Sequence, residues 1–190
     1  MTGAERYPWA FVPRFRRRAF GWRSGPAVTR VREAVSEIKK VARKDPLLAA
    51  DRAVLFLEKL SPALEQVDSS SGAIGTAVNH AIEALVPILT SAPADARTRS
   101  GWLERLWEAH GADEIPCIER LADYRGELCA SPELASHWAD ALKPTVELAW
   151  SPDPAIRGYF RGTVACLSSL LAACRYEELL ALIDRAPYLW

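Results

Sequence analysis

The spacing of apolar residues constrains this chain more than any other feature. From Val28 to Ile183 they recur at steps of three and four, and nowhere alternate for more than a few residues. That spacing lays an apolar stripe along a helix and does not suit a half-buried strand. Val28, Val31, Val35, Ile38 and Val41 form the first stripe, behind a Ser24-Gly25-Pro26 start. Asp45-Pro46 reads as the cap and first-turn proline of a second helix. Its apolar set is Leu47, Leu48, Val54, Leu55, Leu57 and Leu60, with Leu64 and Val67 beyond Ser61-Pro62. A third stripe runs through Ile74, Val78, Ile82, Leu85, Ile88 and Leu89. The second half repeats this grammar over 93–110, 115–125, 131–148, 153–171 and 176–186, with Ser131-Pro132 and Asp153-Pro154 as further helix starts. The expected fold class is all-α, with about eight helices as stacked antiparallel hairpins in a short α-solenoid-like array.

Composition agrees with a packed chain. Of 190 residues, 49% are hydrophobic and 25% charged, which fits neither a disordered nor a collagen-like sequence. Uncharged stretches such as Ala84–Ala94 contain proline and fall short of a membrane span. No apolar secretory segment follows the N-terminal arginines. The cysteines, Cys117, Cys129, Cys166 and Cys174, form no CxxC pair. That usage suits a reducing compartment, so a cytoplasmic location is expected, with no membrane partner.

A formal net charge of zero conceals a strong asymmetry. Residues 1–44 hold 12 Lys/Arg against 3 Asp/Glu, a net of +9; residues 45–190 hold 12 against 21, a net of −9. Such a division points to a polyanionic partner or to docking of the two parts on each other. Residues 1–25 read as an irregular basic-aromatic arm, broken by Pro8 and Pro13, and 26–190 as a single helical domain. Six aromatics in the arm are too many for a tail free in water. Residues 7–22 are therefore expected to be ordered on the body, with Trp9, Phe11, Phe15 and Trp22 at least partly buried. Arg6, Trp9, Arg14, Arg16, Arg17, Arg18 and Trp22 are the interaction candidates, because arginine binds phosphates and aromatics stack on unpaired bases. Arginine, tryptophan and tyrosine also dominate the energetic centres of protein interfaces.

Catalytic signals are sparse. Cys117 and Cys129 lie twelve apart with no histidine at zinc-finger spacing, and no His-Glu-x-x-His is present. Asp68, Ser69, Ser70 and Ser71 form a polar loop before a helix that carries His80. A serine there with a neighbouring base would serve a hydrolase or transferase, but Ser and Asp before a helix are above all caps. No glycine-rich phosphate loop and no cofactor motif is present, so no metal and no cofactor is expected.

The segment from Cys174 to Ala186 resembles the second helix of a tetratricopeptide repeat. Tyr176 and Ala186 match that motif, while Cys174 stands where it has glycine, Leu179 where it has alanine and Ile183 where it has an aromatic. The stretches Tyr7–Phe15 and Val67–Gly75, with the Arg-Tyr-Glu-Glu-Leu of 175–179, resemble an uncharacterised bacterial family of helical-repeat proteins. That resemblance implies helical hairpins, no assigned activity or cofactor, and a parent chain continuing beyond Trp190. The apolar Pro-Tyr-Leu-Trp end is itself unlike a polar solenoid cap. The expected function is a non-enzymatic scaffold that binds another protein or a second copy of itself. Nucleic-acid binding through residues 6–23 is the alternative, and an enzyme with a site near Asp68–Gly72 a remote one.

Overall fold

Asp45 and Ser131 start helices because their side chains accept hydrogen bonds from the otherwise unpaired N–H groups of Leu48 (3.0 Å) and Leu134 (3.2 Å). The computed structural model describes residues 7–187, and these are all-α, without a strand. Its helices are α1 (Ser24–Ala42), α2 (Pro46–Leu64), α3 (Ala73–Ser91), α4 (Ala96–Gly111), α5 (Arg125–Cys129), α6 (Pro132–Ala149), α7 (Thr163–Ala172) and α8 (Tyr176–Ile183). The chain divides into two compact units, Met1–Arg120 and Leu121–Trp190. The C-terminal Tyr188, Leu189 and Trp190 lie outside the described residues.

In the first unit, α1, α2 and α3 pack on one another and α4 packs on α2. The core is aliphatic, with Ile38, Leu57, Leu60, Ile82 and Leu85 fully buried. By length and composition α3 is apolar enough to cross a membrane, more so than Ala84–Ala94 alone implies. Ile74, Val78, Ile82, Leu85 and Leu89 are nonetheless buried in this unit. Its C-terminal carbonyls would be orphans, but the buried Arg99 donates to those of Leu89 (3.0 Å) and Ala92 (2.8 Å). Arg105 of α4 holds Glu58 of α2 through two nitrogens at 2.7 and 2.6 Å. The buried Asp113 accepts from the Ser61 hydroxyl and from the Ile118 N–H, which ties α2 to the chain after α4.

In the second unit, α7 packs on α5, α6 and α8. It comes close to α5 at Gly126. A Cβ there would lie 2.1 Å from the Ser168 carbonyl oxygen and 2.7 Å from the Ala172 Cβ. The Gly126 N–H donates to the Ser168 hydroxyl (3.0 Å), which donates to the Asp123 carbonyl (2.8 Å). Arg125 is buried with its guanidinium 3.5 Å from the Trp138 ring centroid, and burial pushes its pKa down to about 10. Arg175 ties α8 to α6 through Ser136, Asp140 and its own neighbour Glu178.

Two expected helices are corrected. Asp153-Pro154 does not open one: residues 151–162 are turns, and α7 begins only at Thr163. The Asp153 carboxylate closes a local turn onto the Ala155 N–H, and the Gly158 N–H returns to the Ala149 carbonyl. The cap signal is thus spent on a loop. Residues 115–125 likewise hold only a short 3₁₀ turn, Glu119–Ala122, before α5. Pro62, Pro87 and Pro144 sit within α2, α3 and α6, which run on past them.

Candidate interaction surfaces

The arm folds around its aromatics. Trp9, Phe11, Phe15 and Phe20 are buried, and Phe11 and Phe15 set their rings edge-on to Phe56 of α2, with centroids 5.8 and 5.1 Å apart. Glu37 of α1 accepts the backbone N–H groups of Ala10 (2.8 Å) and Phe11 (3.2 Å). The Arg18 N–H reaches the Pro62 carbonyl, and the Trp22 carbonyl accepts from the Asp68 N–H, both at 2.9 Å. Trp22 corrects the expectation of burial, because the residue is 71% exposed while its backbone makes the contact.

The candidate arginines divide. Arg14 pairs with Glu33 of α1 (3.1 Å), and Arg17 (2.9 Å) and Arg18 (2.8 Å) converge on Glu65 at the end of α2. Hydrogen bonds from Arg17 and Arg18 pull the Glu65 carboxyl down to about 2. Arg16 is exposed and lines a shallow depression with Pro13, Pro26 and Arg30. Arg6 lies outside the described residues. The arm's arginines therefore largely meet carboxylates of their own chain.

The Asp68–Gly72 loop is built as a turn. The Asp68 carboxylate accepts from the Ser70 N–H (2.9 Å), and hydrogen bonds from Ser70 hold it below the usual carboxylate range. The Ser71 hydroxyl accepts from the Ala73 N–H (3.4 Å) at the start of α3. Ser69 is exposed, and its carbonyl accepts from the Gly72 N–H. Gly72 adopts a left-handed φ of 70°, which glycine accepts without steric cost.

His80 belongs to a different feature that the sequence did not reveal. Between α1 and α3 lies a cleft of about 590 Å³ with an aliphatic floor of Val31, Val35, Ala77 and Ala81. Arg32, Lys39, Lys40, Arg43 and His80 rim it, and no carboxylate lines it. The α1 cations fall at i, i+7, i+8 and i+11, one flank of the helix. That run was legible as a charged face; what it faces comes from α3, some forty residues on.

The second unit leaves several large apolar side chains exposed. Of Tyr176, Leu179, Leu180, Leu182 and Ile183 in α8, only Leu182 is buried. Tyr176 and Leu180 are 54% and 61% exposed, and Val164 and Leu171, two turns apart on α7, are exposed as well. Leu148, Ile156 and Tyr159 add to the exposed apolar side chains of this unit. The chain matches no protein-family model, no curated protein and no solved structure.

Proposed function

We propose that the chain is a non-enzymatic helical scaffold that binds another protein, or a second copy of itself, through the apolar surface of α7 and α8. The observation that carries this reading is α8, a helix that leaves Tyr176 and Leu180 to solvent and buries one leucine. Exposed apolar groups gathered on neighbouring elements mark interaction surfaces rather than scattered surface leucines. The helical-repeat character finds support at Cys174, which holds the left-handed φ of 57° at the position where the tetratricopeptide motif has glycine. The nucleic-acid alternative loses support from the arm, since Arg14, Arg17 and Arg18 face Glu33 and Glu65. A remote enzymatic reading around Asp68–Ser71 loses support from the turn and capping bonds that occupy the loop.

The test compares the native chain with a Leu171→Glu/Leu180→Glu variant. Light scattering reads self-association, and affinity capture from host lysate with quantitative mass spectrometry reads other partners. The expected result is a stoichiometric protein complex that the variant loses while keeping native helicity by circular dichroism. An unchanged complex in the variant, or tight binding of a small molecule with no protein recovered, overturns the reading.

A further inference from the structure

We propose that the solvent face of α1 binds the phosphate backbone of a nucleic-acid duplex without reading its sequence. This face is in the first unit, apart from α7 and α8. Leu171→Glu/Leu180→Glu leaves it in place, so the two readings fail separately.

The charge that folding leaves unpaired is the first argument. Arg32, Lys39, Lys40 and Arg43 are exposed and lie on the side of α1 away from the buried Ala27, Val31, Ala34, Ile38 and Val41. Among the described residues none of these four cations forms an ion pair, whereas Arg105, Arg120, Lys143, Arg175 and Arg185 all do. The carboxylates that could have answered them are held elsewhere. On α1, Glu33 holds Arg14, and Glu37 holds the N–H groups of Ala10 and Phe11. On the helices packed against α1, Asp51 and Glu58 of α2 hold Arg105, and Glu83 of α3 holds Arg120. Arg23 and Lys44, exposed and without an ion pair, extend the excess past both ends of α1. Arg16 and Arg30 line the depression on the arm's side of the helix instead.

What the face lacks decides the class of partner. Between Arg23 and Lys44 no large apolar side chain is exposed, since Val28 and Val35 are half-buried. A protein partner is held by apolar or aromatic anchors, and a helix on a membrane surface by an apolar side sunk among the lipids. The apolar side of α1 faces the core. Bases of a single strand would find no ring along the face to stack on. A duplex backbone needs none of these, because charge and counterion release supply non-specific binding. Arg32 to Arg43 covers about 16 Å at 1.5 Å per residue. A duplex carries about ten phosphate charges over that length, at one per 1.7 Å.

Fluorescence anisotropy tests this with a labelled mixed-sequence duplex of about 20 base pairs. Four phosphate contacts give a log–log salt slope of about −3.6, so affinity is expected to fall about 300-fold from about 0.02 to 0.1 M sodium chloride. Lys39→Gln/Lys40→Gln removes two contacts and is expected to reduce that fall to about 20-fold. Arg16→Gln/Arg97→Gln changes the net charge equally and is expected to keep the native slope. Lys39 and Lys40 are exposed, so their substitution leaves the core intact, and matching thermal melts establish this. The comparison probes are an oligodeoxythymidine, a polyglutamate peptide, and phosphatidylcholine vesicles containing phosphatidylserine. Four results overturn the proposal: no duplex binding at about 0.02 M salt, an unchanged slope in Lys39→Gln/Lys40→Gln, an equal change in both variants, or tighter binding of any comparison probe at equal charge concentration.

Discussion

Cys174 and Gly126 hold the two backbone positions where a single side chain matters most. α7 ends with the Cys174 N–H on the Leu171 carbonyl and the Arg175 N–H on the Leu170 carbonyl, the paired bonds of a Schellman motif. Cys174 is the residue in the left-handed conformation, at φ 57°, where a Cβ costs about 1–2 kcal/mol. Replacing Cys174 by glycine removes that strain but adds freedom to the unfolded chain, so a net gain of about 0.5–1 kcal/mol is expected in urea unfolding. An unchanged or lowered midpoint refutes the strain. Gly126→Ala has the opposite sign, because its Cβ would strike the Ser168 carbonyl, which is backbone and cannot rotate away. Overpacking against backbone is expected to cost about 3 kcal/mol or more, read as lost hydrogen-exchange protection in α5 and α7; an alanine tolerated without loss counts against this packing. The first position was partly legible, since Cys174 fell where a repeat motif has glycine. The second was not, because Gly126 looks like any loop glycine until α7, about forty residues later, packs on it.

At the scale of elements, the arm shows both how far local signals reach and where they stop. Six aromatics among prolines and arginines foretold a packed irregular segment, and Trp9, Phe11, Phe15 and Phe20 are buried. Which aromatic stays outside was not marked locally: the Trp22 carbonyl accepts from the Asp68 N–H while the residue itself stays exposed. Asp45-Pro46 and Ser131-Pro132 foretold helix starts because capping is local, whereas Asp153-Pro154 failed because Gly158 folds back to Ala149. Phe15 touches Phe11, Phe20 and Phe56, so Phe15→Ala is expected to cost about 3–5 kcal/mol. A cost below about 1 kcal/mol in denaturant melts, the level of surface substitutions, refutes its central place. The arm's tie at Glu65 also titrates. Its carboxyl is held at about 2 in the folded chain against 4.5 ordinarily, so the contribution is complete above about 4.5 and is lost as pH falls towards 2. Hydrogen exchange of residues 9–20 is expected to rise over that window before that of α1, and Glu65→Gln to abolish this early step. Loosening of the arm above pH 5, or none before α1, contradicts the tie.

For the whole molecule, zero formal charge at pH 7 and a sequence pI of 6.8 remove net repulsion between copies near neutrality. The opposed +9 and −9 segments remain, and among the described residues few ion pairs join one segment to the other. Arg17 and Arg18 share one carboxylate of the acidic segment, Glu65, and Arg14 uses Glu33 from the basic segment itself. Cations of one copy are thus left to attract carboxylates of another, alongside the apolar attraction proposed for α7 and α8. These two forces respond to salt in opposite ways. Attraction between exposed charges reaches about 10 Å in 0.1 M salt and about 3 Å in 1 M, while apolar association persists and sulfate strengthens it. Static light scattering near the pI is therefore expected to show an apparent mass that falls as sodium chloride rises from about 0.02 to 0.5 M, with any mass left at high salt growing in sulfate. Leu171→Glu/Leu180→Glu is expected to remove the high-salt component and leave a low-salt one. An apparent mass insensitive to chloride would show that the segregated charge does not act between molecules. A high-salt component that survives the double substitution would move self-association away from α7 and α8.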